Sequence, residues 1–171
     1  MIRLKQPALA LHSHDVPGYR YKMQTTWLMP KNAAVNDVVY WIDWAIRNSA
    51  NQRLENVVIN CHGKNGFLAV GGKNKGFGKE GIQHFYKFRG KNAIGKIWLV
   101  ACDVGAGFDF CGALAKATDC QVIAGKTEQW VEDIFEFFCP DYFIDNFEDG
   151  ALYFTPDGQT GSFINSLGKA F

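Results

Sequence analysis

Two short runs decide what this chain can fold into: Val57-Val58-Ile59-Asn60-Cys61-His62-Gly63 and Ile97-Trp98-Leu99-Val100-Ala101-Cys102. Each is apolar, rich in β-branched or aromatic residues, of strand length, and ends abruptly at a chemically capable side chain. Continuous apolar runs of this kind predict strands of a parallel sheet, covered on both faces by helices. Ligand crevices in open α/β sheets lie outside the carboxyl ends of the strands, so if the two runs are neighbours, His62 and Cys102 share one cleft. A Cys/His dyad is the chemistry that this pattern predicts.

The chain of 171 residues is 47% hydrophobic and 15% aromatic, enough to bury a core of its own as a single domain over residues 1–171. Its net charge is +1, with Lys and Arg scattered along the sequence, so neither nucleic acid nor an anionic membrane is expected as a partner. The densest acidic stretch, Glu128 to Asp149, is interleaved with aromatic residues and reads as a half-buried surface. Cysteines stand at 61, 102, 111, 120 and 139. An odd number without short paired spacing predicts free thiols in a reducing compartment. There is no Cys-x-x-Cys, and the histidines do not fall at ligand spacing from the cysteines, so neither a metal nor another cofactor is expected. The pair His12 and His14 reads as a solvent-exposed loop. Met1 to Leu11 alternates charged and apolar residues, which predicts no secretory signal, and no stretch is long enough to span a bilayer. The expected location is the cytoplasm, or outside it by a route that reads no such signal.

In chain order, Tyr19 to Met29 predicts a strand near an edge. A helix follows, capped by Asn32 or Asn36 and running to about Ser49, with 38, 41, 42, 45 and 46 on its buried face. Trp41 belongs to that stripe and reads as core packing. Asn65-Gly66 predicts a turn before a short strand at 67–70, closed by Gly71-Gly72. Lys79 to Gly90 predicts a helix, with His84 packed or at its surface. Past Cys102, a turn at 103–107 leads to a helix from Phe108 to Thr118 and a third buried strand at 120–125. Cys111 and Cys120 serve there as small core hydrophobes. Ala151-Leu152-Tyr153-Phe154 and Ser162-Phe163-Ile164, around Pro156-Asp157-Gly158, predict a C-terminal hairpin. This alternation predicts a right-handed, mostly parallel α/β sheet flanked by helices.

Thiol chemistry needs a thiolate, a base and donors for a developing oxyanion. Cys102, between a strand and a turn into a helix, gains thiolate character from the helix amino end and from an imidazole partner. His62 supplies that imidazole. Gly63 permits close backbone approach, so its N–H and that of Cys102 can point at one carbonyl oxygen; losing such a donor typically costs about 10²-fold to 10³-fold in rate. Cys61 alternates to the other side of its strand, toward the core. Taken singly, Cys102 also reads as a buried thiol and His62 as a strand-end histidine bonded to a carbonyl; their order and context together favour the dyad.

At these residues the sequence resembles the caspase-like clan of cysteine peptidases, which includes caspases, gingipains, clostripain, separase and the self-cleaving cysteine peptidase domains of large bacterial toxins. The shared pattern is a hydrophobic strand ending in His-Gly, here Ile59 to Gly63, and a later one ending in Cys, here Leu99 to Cys102. Gly66 to Gly71 and the run from Cys102 to Gly125 are similar to bacterial caspase-like domains attached to surface and toxin proteins. The resemblance covers roughly residues 56 to 125. It implies a caspase-like fold, His62 as general base, Cys102 as nucleophile, Gly63 and Cys102 as oxyanion donors, and a protein or peptide substrate, with a bacterial effector or toxin as one setting. The caspase signature Gln-Ala-Cys-x-Gly is matched in part, with Val100 in place of Gln and Val104 in place of Gly, and no specificity-pocket motif transfers. Three readings follow: a thiol peptidase or a deamidase-type acyl-transfer enzyme; a catalytically silent caspase-like module that binds protein; and a flavodoxin-like small-molecule binder, for which Lys64-Asn65-Gly66 is a poor phosphate cradle.

Overall fold

The computed structural model describes residues 1–16, 21–72, 75–126, 140–144, 147 and 150–163. Cys139 and most of the stretch from Glu128 to Asp149 lie outside the described residues. The strands are β1 (Ile2–Arg3), β2 (Ala8–His12), β3 (Thr25–Leu28), β4 (Leu54–Asn60), β5 (His62–Lys64), β6 (Phe67–Ala69), β7 (Ile94–Val100), β8 (Gln121–Gly125), β9 (Phe143–Ile144), β10 (Ala151–Phe154) and β11 (Thr160–Ser162). Helix α1 spans Val35–Asn48 and α2 spans Phe108–Thr118, and a 3₁₀ helix covers Lys79–Phe88.

The main sheet has seven strands in the order β11, β10, β8, β7, β4, β2, β3. From β3 to β8 all neighbours pair in parallel, while β10 and β11 form the antiparallel C-terminal hairpin. The fold is therefore α/β, with a mixed and mostly parallel central sheet. The chain enters at β2, steps outward to β3, then crosses back over β2 to β4 and continues through β7 to β8. Strand order thus reverses between β2 and β4, where such sheets open a crevice at their carboxyl ends.

Right-handed crossovers explain what covers each face. The steps β3 to β4, β4 to β7 and β7 to β8 all move the same way, so α1, the 3₁₀ helix and α2 land on one face. Val38, Ile42, Phe85, Phe88, Phe110 and Leu114 pack there against Leu9, Leu11, Val57, Ile59, Ile97 and Leu99. The step β2 to β3 moves the other way, and its residues Tyr21 and Met23 pack on the opposite face with Ala8, Ala10, Val58, Trp98, Ile144 and Phe147. Among the described residues, α1, the 3₁₀ helix and α2 all lie on the first of these faces.

Three local features depart from the sequence reading. Strand β2 lies inside the sheet and is buried along its whole length, so His12 is 1% exposed and does not belong to a solvent-exposed loop. The cap of α1 is Ala34, whose N–H donates to the Asp37 carboxylate at 2.7 Å; neither Asn32 nor Asn36 supplies it. The segment Lys79–Phe88 winds as 3₁₀, still burying Ile82, Phe85 and Phe88. Trp41 packs as expected, stacked on Trp27 with ring centroids 4.4 Å apart. Among the described residues, no helix is long and apolar enough to cross a membrane.

Candidate functional site

Strands β4 and β7 are parallel neighbours, as the shared-cleft argument requires, and their register pairs Asn56 with Lys96, Val58 with Trp98 and Asn60 with Val100. Continuing that offset by two residues aligns His62 with Cys102. The alignment holds one residue past the strand ends, where the Cys61 N–H donates to the Val100 carbonyl at 3.2 Å, and has slipped by one residue at Asn65, whose N–H donates to the Asp103 carbonyl at 3.1 Å. Cys61 and Ala101, one residue earlier on each chain, are 5% and 2% exposed and both belong to the helix-side core. Both chains therefore reach the rim in the same phase, with His62 exposed and Cys102 half-buried.

Gly63 lies against the turn that carries Cys102. A Cβ on Gly63 would stand 2.8 Å from the Ala101 Cβ and 2.9 Å from the Cys102 carbonyl oxygen, so a residue without a side chain is required. β5 pairs antiparallel with β6 and places Gly63 opposite Leu68, while Leu68 exchanges both main-chain hydrogen bonds with Phe77. Gly63 and Leu68 are thus a non-hydrogen-bonded pair, and the Gly63 N–H points away from β6.

The ring of His62 is held from across the crevice. Its Nε2 lies 3.1 Å from the main-chain carbonyl oxygen of Asp15, in the connection that leaves β2. A carbonyl oxygen only accepts, so Nε2 carries the proton and, in the neutral ring, Nδ1 is the nitrogen able to take one. Sequence reasoning missed Asp15, because a main-chain carbonyl leaves no signature in residue type. It also missed Ser13, whose N–H donates to the Asn60 carbonyl at 2.8 Å and whose Oγ donates to the Ala69 carbonyl at 3.4 Å.

The other described thiols stand apart from Cys102 in environment. Burial pushes Cys61 well above the ordinary thiol range; a main-chain hydrogen bond from Ala69 opposes this and neighbouring Cys102 adds to it. Burial likewise pushes Cys111 up to about 12 and Cys120 up to about 12, the latter opposed by its hydrogen bond with Thr118. These three behave as core hydrophobes, as the sequence suggested. Between Cys102 and α2 stand Asp103, in the left-handed region with φ 55°, and a 3₁₀ turn at Val104–Ala106, so α2 begins only at Phe108. The favourable field of a helix end fades within its first turn. The amino end of α2 is therefore not directly beside Cys102, contrary to the sequence reading.

Together the rim holds a half-buried thiol, an exposed imidazole with a fixed proton, and a glycine main chain facing the thiol's turn, which is the equipment of acyl transfer through sulfur. No protein-family model matches the chain, and no curated protein matches it.

Proposed function

We propose that this protein is a cysteine peptidase of caspase-like type, with Cys102 as nucleophile and His62 as general base. The observation that carries this reading is the register of β4 and β7, which sets His62 and Cys102 at equivalent positions beyond the carboxyl ends of two adjacent parallel strands. In this mechanism the Cys102 thiol gives its proton to Nδ1 of His62, and the thiolate attacks the carbonyl carbon of the scissile bond. The tetrahedral oxyanion accepts hydrogen bonds from the N–H groups of Gly63 and Cys102. His62 returns its proton to the leaving amine as the C–N bond breaks, leaving an acyl-thioester. Water, deprotonated by His62, then attacks the thioester carbonyl, releases the carboxylic acid and regenerates the thiol.

The same steps on a side-chain amide would make the enzyme a deamidase, so the products distinguish the two. The flavodoxin-like alternative needs free main-chain donors in the turn after the first strand of the sheet, which is β2. In the described part of that turn, the Ser13 N–H is taken by the Asn60 carbonyl and the Asp15 N–H by the Ser13 hydroxyl at 3.5 Å. A silent binding module has no use for a cysteine and a histidine in this register.

The test is incubation of the protein, and of Cys102→Ala, with a mixed peptide library read by mass spectrometry. New termini produced by the unaltered protein and absent with Cys102→Ala are the expected result. Mass gains of amide-to-acid conversion without new termini would favour the deamidase, and equal cleavage by Cys102→Ala would overturn the dyad.

A further inference from the structure

The rim of β2 and β4 holds a second histidine that the mechanism above does not use. His12 is 1% exposed at the end of β2, and its register partner on β4 is Asn60, 4% exposed. The two side chains meet, with Asn60 Nδ2 3.0 Å from His12 Nδ1. The other ring nitrogen, Nε2, lies 3.1 Å from the main-chain carbonyl oxygen of Tyr21. That carbonyl only accepts, so His12 carries its proton on Nε2, and its bare Nδ1 accepts from the Asn60 amide.

His12 and His62 are thus bound in the same way to the same connection. Each donates an Nε2–H to a main-chain carbonyl of the chain between β2 and β3: His12 to Tyr21 where that chain returns, His62 to Asp15 where it leaves. Ser13, 2% exposed, ties the departing end to Asn60 and Ala69. Asn60 therefore acts twice, through its carbonyl on Ser13 and through its amide on His12, and both contacts brace the segment carrying the Asp15 carbonyl.

We infer that His12 and Asn60 are positioning residues for the general base: they brace the β2–β3 connection so that the Asp15 carbonyl holds His62 in the Nε2–H tautomer and leaves Nδ1 for the Cys102 thiol. The inference rests on the peptidase reading for its consequence, and on the hydrogen bonds alone for its geometry. A buried, fully bonded polar pair suits this task, because it defines one arrangement and leaves little freedom to relax. Misplacing a reacting group by about 1 Å typically costs up to about 10²-fold in rate.

The experiment records long-range ¹H–¹⁵N spectra of the histidine rings in the full chain and the rate at which iodoacetamide alkylates Cys102. It uses the unaltered protein, His12→Phe, Asn60→Ser and His62→Ala. In the unaltered protein, both His12 and His62 are expected as Nε2–H tautomers, and an Nδ1–H tautomer in either overturns the inference without any variant having to fold. In His12→Phe and Asn60→Ser, His62 is expected to become a tautomer mixture and alkylation of Cys102 to slow about 10-fold. A His62 tautomer and an alkylation rate unchanged in a folded Asn60→Ser protein overturn the bracing role. Failure of the peptidase reading has a different signature, since alkylation would then be unaffected by His62→Ala while the ring spectra of the other proteins still report the network.

Discussion

Gly63 and Cys102 approach so closely that a methyl group on the Gly63 α-carbon would stand 2.9 Å from the Cys102 carbonyl oxygen and 2.3 Å from Val104 Cγ2. The approach is local to the rim, just beyond the carboxyl ends of β4 and β7. It ties the chain that carries His62 to the turn that carries Cys102 through main chain, with no side chain between them.

Gly63→Ala is therefore expected to damage stability and reactivity together. Val104 and Ala101 are 0% and 2% exposed, so neither has room to retreat, and overpacking of this kind costs about 1–3 kcal/mol. Thermal melts should show that loss, and iodoacetamide should alkylate Cys102 more slowly in the same variant. Gly112→Ala is the control: nothing lies within 4 Å of the added methyl, on α2, where alanine is the better helix former. A neutral or stabilising Gly112→Ala beside an unperturbed Gly63→Ala would contradict the close approach.

The buried thiols predict a loss of stability in alkali. Cys111 and Cys120 titrate from 9.0 up to about 12 on folding, because burial penalises the thiolate. Their folded pKa is raised, so the native state holds its protons longer than the unfolded chain. The contribution is complete below pH 9.0 and is lost as pH rises from there toward about 12. Each thiol adds a slope of at most about 1.4 kcal/mol per pH unit inside that window. Denaturant melts between pH 8 and 11 should show a shallower decline for Cys111→Ala/Cys120→Ala than for the unaltered protein, whatever the absolute cost of the cavities. Parallel declines would mean that these thiols do not stay protonated.

On the face opposite α1 and α2, Asn56 joins β4 to β7 and to the amino-terminal segment. Its Nδ2 donates to the Lys5 carbonyl at 2.7 Å, and its Oδ1 accepts from Trp98 Nε1 at 2.8 Å, with Asn56 5% and Trp98 3% exposed. Asn56→Leu strands the indole N–H and should cost about 1–3 kcal/mol. Trp98→Phe strands the amide oxygen instead. Chemical denaturation of both single variants and the double variant should give a double that costs clearly less than the sum, with a coupling of about 0.5–3 kcal/mol. Simple additivity would mean that the bond contributes nothing.

Where one residue's environment was written in its neighbours, the sequence was readable. The runs ending at Asn60, Val100 and Gly125 declare themselves as strands by their continuous apolar cores, Val57 to Ile59, Ile97 to Val100 and Val122 to Ala124, and Val38, Ile42 and Ile46 declare the buried face of α1 by their spacing. Phe108 was legible as the start of α2 and Pro156-Asp157-Gly158 as a hairpin turn. β2 was not, although it is wholly buried in the sheet: Ala8-Leu9-Ala10-Leu11 is short, half alanine, preceded by Pro7 and ended by a histidine, and alanine has little strand preference of its own. With β2 unread, His12 looked exposed, and the reversal of strand order between β2 and β4 could not be seen. The same gap hid Asp15 and Ser13, whose parts are played largely by main-chain atoms whose positions depend on a pairing between residues far apart in sequence.

The last prediction separates chemistry from architecture at the dyad itself. His62 is exposed and Cys102 half-buried at the rim, so His62→Ala and Cys102→Ala should each shift stability by no more than about 1 kcal/mol. Each should nevertheless abolish peptide hydrolysis, because a thiol without its base and a base without its thiol are equally inert. Residues acting as one unit are strongly non-additive, so the double variant should hydrolyse no more slowly than either single one. If the two residues were structural, the same changes would instead leave a cavity or an unpaired polar group, and the losses of stability would be larger. Thermal melts and library turnover on all four proteins decide between these outcomes, and near-normal turnover by Cys102→Ala would end the mechanism.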